Sequence, residues 1–488
     1  MPIEGSKKAV SALAGRRDFL KTAIAGALLA GAPAIRSRTS AQSAPNAWDK
    51  LPEILARIRP PQFPARDFDV AKYGAVADNN TDCAAAVQKA IAACNAAGGG
   101  RVVVPKGQFL SGAVTLKSNV NLHISDGATL RFSRDASKYP VVLTRYEGQE
   151  LMNYSPLIYA LDQENIAITG QGTIDGNADC AHWWSWVGGP VCGPADSTHT
   201  LSKDRDALHD MSERGVPVEQ RVFGPGHSLR PQFIQPFRCK NVLIEGVTLL
   251  NSPMWHIHPA LCTNVTVQGL TIHSNGPNTD GCDPESCSDV LIKNCNFLTG
   301  DDCIAIKSGR NADGRRLHMP SENIVIQDCH MKDGHGGVTI GSEISGGVRN
   351  IFADNCQMDS PNLQMAIRIK NNAMRGGDIE DIYVRDIKVG QVANSGVAID
   401  FYYEEGETGG FTPIVKNVDI RGLDVAKTKY AVYLRGFKNA PIQNIRLTDC
   451  NFEQAASPNV MENVKGILFA NVRINGTVVD PDVQSASI

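Results

Sequence analysis

The chain of 488 residues carries 48 Lys+Arg against 51 Asp+Glu, a formal net charge of −3. That balance excludes a basic nucleic-acid coat or an acidic disordered tail for the chain as a whole, and 42% hydrophobic with 20% charged residues is globular rather than disordered composition. Such a length suggests roughly three domains unless the chain is a solenoid, so repeats are sought first.

Residues 16–21 read Arg-Arg-Asp-Phe-Leu-Lys and precede an apolar stretch from Ala23 to Ile35. As helix, that stretch spans about 20 Å, short of the ~30 Å hydrocarbon core. It reads as the apolar region of a signal peptide rather than an anchor. Paired arginines before Phe-Leu-Lys resemble the bacterial twin-arginine export signal. Residues 1–41 are expected to be an export leader, cleaved after Ala34 or Ala41, and residues 42–65, with Pro45, Pro52, Pro60, Pro61 and Pro64, a lead-in to the folded body. No other segment is apolar enough to span a membrane, so a periplasmic or secreted protein is expected.

One phrase then recurs: a polar residue, Asn or Asp, an aliphatic, any residue, an aliphatic. Its Asn/Asp stands at Asn241, Asn264, Asp289, Asn323, Asn350, Asp381, Asn417 and Asn444, at intervals of 23, 25, 34, 27, 31, 36 and 27 residues, with earlier copies at Asn165 and Asn119. After each, apolar and polar residues alternate, as in Ile324-Val325-Ile326-Gln327, which means short strands with one buried face. No stretch of ten or more between copies has helical periodicity. Short strands separated by turns at this period predict an all-β chain, a right-handed parallel β-helix over 66–475 with a C-terminal tail at 476–488. Thr81 to Ala97, stopped by Gly98-Gly99-Gly100, is expected to be an amphipathic helix capping the open N-terminal end.

Thirteen cysteines in an exported chain suggest disulfides. Yet Cys295, Cys329, Cys356 and Cys450 each fall six residues after their repeat's Asn/Asp, a slot that Val247, Leu270, Ile387 and Leu423 fill elsewhere. Thiols sharing a slot with aliphatics read as buried ladder members. Cys83 and Cys94 lie about 16 Å apart on one predicted helix and cannot bridge. Cys180–Cys192 and Cys282–Cys287 remain open as loop disulfides.

Polar residues that interrupt the repeat carry the functional signal. Asn278-Thr279-Asp280-Gly281, Gly300-Asp301-Asp302, Gly334-His335-Gly336 and Arg368-Ile369-Lys370 follow at spacings of 21, 33 and 33 residues from Asp280 to Asp301, Asp302 to His335 and His335 to Arg368. Each is about one coil, so stacking gathers three aspartates, a histidine and two cations on one wall, a few ~4.8 Å steps apart. Glycoside hydrolysis needs one carboxylic acid to protonate the leaving oxygen and one carboxylate to activate water or attack. Adjacent aspartates raise the pKa of one, and His335, Arg368 and Lys370 supply positive charge for an anionic substrate. Singly, each motif reads as a turn or, for the aspartates, a calcium site.

In combination and in this order, the four motifs resemble the signature of polygalacturonases, family 28 of the glycoside hydrolases. Asn251-Ser252-Pro253 with Trp255 and His258, the run Gly341-Ser342-Glu343, and the opening Tyr73-Gly74-Ala75 add to the resemblance, which covers roughly residues 66 to 475. It implies Asp301 as general acid, Asp280 and Asp302 positioning and deprotonating the attacking water with inversion, and His335 tuning the ionisation of Asp301. It also implies Arg368 and Lys370 gripping a galacturonate carboxylate, and Tyr403, beside Tyr402, and His258 as substrate-binding residues. The implied partner is a galacturonate-containing polysaccharide or oligosaccharide, with no cofactor, metal or nucleic acid, and no membrane once the leader is removed.

Between the Asn165 and Asn241 repeats lie 76 residues, an insertion at about 176–236 that carries Trp183, Trp184 and Trp186 and a polar stretch from Ser197 to Gln220. Such a loop beside the cleft walls off one end in the exo reading; its tryptophans stack on sugars or pack its own base. Exo-acting hydrolysis of α-1,4-galacturonosidic bonds is therefore expected, with endo action or a decorated pectin (xylo- or rhamnogalacturonan) as the alternative. Two rivals are weaker: a calcium-dependent lyase leaves His335 idle, and a non-catalytic carbohydrate-binding solenoid has no need of an acid/base cluster.

Overall fold

The computed structural model describes residues 46–194 and 201–479; the leader expected over 1–41 lies outside the described residues. From Ala47 onward the chain winds as a right-handed parallel β-helix, 30 strands joined coil upon coil.

The recurrent Asn/Asp has a conformational cause. It turns a corner in the left-handed region, with φ of +53° at Asn165, +56° at Asn241, +58° at Asn264 and +56° at Asp289 and Asn323. Short polar side chains tolerate that region best. They also bond along the solenoid axis: Asn165 donates to Asn119 at 3.0 Å, Asn241 to Asn165 at 2.9 Å and Asn264 to Asn241 at 2.8 Å. This ladder pins the register, because a one-residue slip would break it and turn every apolar side chain outward. The aliphatic after each corner stacks inward, Val242 on Val265, Val290 and Ile324, and all four are buried.

Cys295, Cys329, Cys356 and Cys450 are buried free thiols in the aliphatic slot. Cys180 and Cys192 form a disulfide. Cys282 and Cys287 do not: both are buried and free. They belong to different inward columns, Cys282 between Ile257 and Ile304, and Cys287 beside Cys262 and Ser321, whose polar atoms approach it at 3.4 and 3.2 Å.

The lead-in is part of the body. A 3₁₀ turn at Ala47–Lys50 runs into helix α1 (Leu51–Arg57), and Trp48, Leu51, Ile54 and Ile58 pack on Val325 and Phe352. These two belong to an apolar column, Leu291–Val325–Phe352–Tyr383, on the outer face of one sheet. An exposed stripe of that kind needs a cover, so the folded body begins by Ala47 rather than at 66. Helix α2 (Ala84–Ala96) caps the N-terminal end on Val87, Ala90, Ile91 and Cys94; it starts three residues later than expected, where the Asp82 carboxylate accepts the Ala84 N–H at 3.0 Å. At the other end Thr477–Val478, expected to be tail, pairs antiparallel with Arg473–Ile474.

Two additions interrupt the coils. One, not anticipated from the sequence, is an antiparallel hairpin of Val141–Tyr146 and Gln149–Tyr154. The other follows Thr173–Asp175 and returns at Ile234–Phe237. It contains helix α3 (Leu201–Glu213), where a polar loop was expected; its face of Leu201, Ala207, Leu208 and Met211 joins one cluster with Tyr146 and Leu151 of the hairpin and Met254-Trp255. The tryptophans pack the base of this addition: Trp183 lies 4.8 Å from Trp186 and 5.7 Å from Tyr139, and Trp184 donates to the Ser252 carbonyl at 2.9 Å. All three are buried.

Candidate active site

The site lies on the outer face of one sheet, formed by Ile158–Leu161, Ile234–Phe237, bridges at Ile257 and Cys282, then Ile304–Ile306, Gly336–Ile340, Met365–Lys370 and Ser395–Asp400. Register places each functional side chain. Ile257, Cys282, Ile304 and Val338 are paired in succession, so two residues earlier Trp255, Asp280, Asp302 and Gly336 form one column. Asp280 and Asp302 are thus stacked neighbours, one ~4.8 Å step apart. Asp301 joins them from the adjoining bend; oxygens of the three carboxylates lie within 4.8 Å of one another.

The motif glycines have a steric reason. A Cβ at Gly334, whose φ is +89°, would stand 1.9 Å from the Asp301 carbonyl, and one at Gly336 would stand 2.2 Å from the Thr339 hydroxyl and 2.8 Å from Asp302 Oδ1. His335, between them, is held with Nδ1 2.8 Å from Asp301 Oδ1.

The carboxylates differ in environment. Asp302 accepts from Lys370 Nζ at 2.8 Å, Thr339 Oγ1 at 2.9 Å and Arg368 Nη1 at 3.4 Å. Burial alone would push its carboxyl up, but the charges of Lys370 and Arg368 outweigh burial and hold it well below the usual range. Asp280 is pushed well above that range by burial and by the charges of Asp283 and Asp301, with Lys307 opposing. Asp301 is the most exposed of the three, its side chain 16% accessible against 4% and 1% for Asp280 and Asp302. The three could together ligate a metal by distance, yet both oxygens of Asp302 are already engaged by cationic side chains and a hydroxyl.

The ring of Tyr403 lies 5.1 Å from Lys370 Nζ and 5.5 Å from the Arg368 guanidinium. Tyr402 turns the other way, edge-on to Phe437 at 5.0 Å and under Arg435 at 4.4 Å. Tyr403 is therefore the tyrosine at the site.

His258 is not at a surface a substrate can touch. It is fully buried, Nε2 2.7 Å from Glu285 and Nδ1 2.9 Å from Gln235. The hairpin covers it: Arg145 donates to Glu285 at 3.1 Å, and Gln235 donates to the Arg145 carbonyl at 3.3 Å. The expected substrate contact is corrected to a support beneath that cover.

Comparison with known proteins follows this geometry. Residues 225–474 match the family described as "Glycosyl hydrolases family 28". The chain belongs to that family.

A hyperthermoactive exopolygalacturonase from Thermotoga maritima is 45% identical in a solved structure that covers 88% of this chain and 96% of its own, with a TM-score of 0.86. A "Probable polygalacturonase" of Vitis vinifera is 29% identical over 83% of this chain and 78% of its own. An "Exo-poly-alpha-D-galacturonosidase" of Dickeya chrysanthemi is 27% identical over 83% of this chain and 70% of its own.

Several residues of this family 28 site escaped the sequence reading. Asp283 is fully buried, and neither of its carboxylate oxygens has a hydrogen-bond partner. Lys307 Nζ stands 3.0 Å from Glu343, 4.0 Å from Asp280 and 4.3 Å over the Trp255 ring. The signal for Lys307 was register: Ile306, Ile340 and Ile369 are paired, so Lys307 and Lys370 occupy one outward column.

The His335–Asp301 pair gives a pH prediction. The hydrogen bond to Asp301 is the main cause raising the His335 imidazolium above its ordinary value, with burial opposing. A raised folded value makes the pair complete below about pH 6.5 and lost as pH rises through the folded value. We expect kcat to fall on the alkaline side through that value and the limb to vanish in His335→Gln. A kcat–pH profile unchanged by the substitution would remove His335 from the ionisation of the site.

Proposed function

We propose that this protein is an exo-acting hydrolase of α-1,4-galacturonosidic bonds in polygalacturonate. The observation that carries the exo reading is a groove closed on one side. The sheet's outward residues Gln235 and His258, upstream of the aspartates, and Glu285, in the Asp280 coil itself, are all buried under the hairpin, whose Gly148 carbonyl accepts the Arg310 N–H at 3.0 Å. Helix α3 backs the hairpin through Leu201 and Leu208, and their cluster rests on Trp255, the head of the Asp280–Asp302 column. Downstream, Arg368, Tyr403, Tyr402 and Arg435 remain partly accessible. A chain can enter from that side only, so its end is the part that reaches the acids.

In the proposed reaction Arg368 and Lys370 bind a galacturonate carboxylate and Tyr403 packs beside it. Asp301, the accessible acid, protonates the leaving oxygen. Asp302, held ionised, takes a proton from water that Asp280 helps to orient. The carboxylates are nearer together than the ~6.5–9.5 Å usual for inverting pairs. Inversion is favoured because Asp302 is tied on both oxygens, while burial and the charges of Asp283 and Asp301 raise the Asp280 carboxyl, so neither is a free nucleophile.

Early products decide. Purified protein with polygalacturonate and chelator should release new reducing ends with no unsaturated product, initially as short units of one size, and proton NMR should show the first-formed anomer inverted. Mixed oligomers with a rapid fall in viscosity would overturn the exo reading, and a retained anomer would overturn the water mechanism. The twin-arginine-type leader supports export, so we place the mature protein in the periplasm or outside the cell. No described helix is long and apolar enough to cross a membrane.

A further inference from the structure

The closed end of the groove contains charged groups that the proposed reaction does not use. Glu147 sits at the hairpin turn, with φ of +43° and 8% exposure. Arg310 Nη1 and His209 Nε2 of α3 both stand 3.9 Å from its carboxylate, beyond hydrogen-bond distance. His209 Nε2 and Arg310 Nε are buried with no hydrogen-bond partner. Burial pushes the His209 imidazolium down to about 3, so the ring is neutral, with one donor and one acceptor nitrogen. Two unmet buried nitrogens on separate segments, in side chains held 3.9 Å from the Glu147 carboxylate, call for a partner.

This place is linked to the catalytic aspartates by a short run of charged contacts: Arg310 to Glu343 at 3.4 Å, Glu343 to Lys307 at 3.0 Å, and Lys307 to Asp280 at 4.0 Å. It is not a second carboxylate site. Arg310 already faces Glu343, Glu404 and Glu405 at 3.3–3.5 Å, so no cation is in excess. A hydroxyl fits better. Placed at the apex of a triangle over the 3.9 Å gap, it can donate to Glu147 and still meet His209 or Arg310 with bonds near 2.8 Å.

The chemistry of the chain says which hydroxyl. In an α-1,4-linked galacturonan every internal residue has O4 in a glycosidic bond; only the non-reducing terminal residue has a proton on O4. A free O4 hydroxyl can donate to the Glu147 carboxylate, whereas the ether oxygen of an internal residue has no proton to give, and burial makes the carboxylate unfavourable without such a donor. We propose that Glu147, with His209 and Arg310, forms a subsite that recognises the free O4 hydroxyl of the non-reducing terminal galacturonate. This rests on the exo reading above and adds how the end of the chain is told from its middle.

The test compares trigalacturonate with its counterpart bearing a 4,5-unsaturated non-reducing residue, which lacks that hydroxyl. The wild type should prefer the saturated substrate in kcat/KM by about 10- to 100-fold, the scale of a hydrogen bond to a charged group. Glu147→Ala should bring the ratio close to 1. Glu147→Gln, which keeps the side-chain volume, should reduce it at least about threefold, and serves if the alanine variant does not fold. A wild type indifferent to the two substrates, or variants that retain the wild-type ratio, would overturn the proposal. Trigalacturonate with a borohydride-reduced end should be cleaved like the native trimer; a selective loss there would place the reducing end against the wall and overturn it as well. Failure of the exo reading is separate, since it appears as mixed oligomers from polygalacturonate with the wild type alone.

Discussion

Asp301→Asn should lower kcat by about 10²–10⁴-fold, or roughly 2.7–5.5 kcal/mol of barrier, with KM little changed. Asparagine keeps the shape and the hydrogen bond to His335 but cannot deliver a proton to a leaving oxygen. Asp301 is also the one of the three acids whose side chain is open to the groove, so no neighbour can replace it. Leaving-group chemistry sharpens the test. An aryl galacturonide with an acidic phenol needs little protonation on departure, so the variant should recover most of its loss on that substrate. An equal loss on both substrates would mean that Asp301 has another role, and full activity on polygalacturonate would remove it from the chemistry.

Lys370→Met should damage both stability and catalysis. Lys370 is the closest cation to Asp302, at 2.8 Å, and both side chains are buried, 7% and 1% accessible. Removing one partner of a buried pair typically costs about 3–5 kcal/mol, because the other charge is left uncompensated; Arg368, at 3.4 Å, places the cost at the lower end. The pH dependence identifies the cause. The folded Asp302 carboxyl is depressed, so its contribution is fully present above the unfolded carboxylate value near 3.9 and is lost as pH falls through the folded value. The gap in stability between wild type and variant should therefore be wide at neutral pH and narrow below about pH 4. Activity should move the same way, with the acidic limb of kcat shifted to higher pH as Asp302 becomes easier to protonate. A stability gap independent of pH would mean that Lys370 contributes packing rather than charge.

The architecture was legible in the sequence because a solenoid repeats its physics. One left-handed corner per coil demands a short polar side chain, so the Asn/Asp at Asn241, Asn264 and Asp289 announces both the strand that follows and its neighbours above and below. The same periodicity placed Cys329 and Cys356 in an aliphatic slot and brought Asp280, Asp302, His335 and Arg368 to one wall, since residues a coil apart in sequence are about a strand spacing apart in space.

What breaks the repeat was not legible. The hairpin of residues 141–154 is a mixture of short apolar and polar runs with no corner signal of its own, and only its antiparallel pairing reveals that it leaves the solenoid. Whether a histidine on the outer face touches substrate depends on what covers it. His258 belongs to the same quoted motif as Trp255, yet Arg145 and Gln235 close over it from segments more than 20 residues away in sequence.

The sequence by itself thus determined the β-helix, its cap and the stacked acids, because each follows from local corner geometry that recurs once per coil. Tertiary structure decided which tyrosine faces the cations, which cysteines pair, and that one end of the groove is shut. Those outcomes depend on where an inserted hairpin and helix α3 come to rest, and that is set by side-chain packing between segments with no periodic relation to one another.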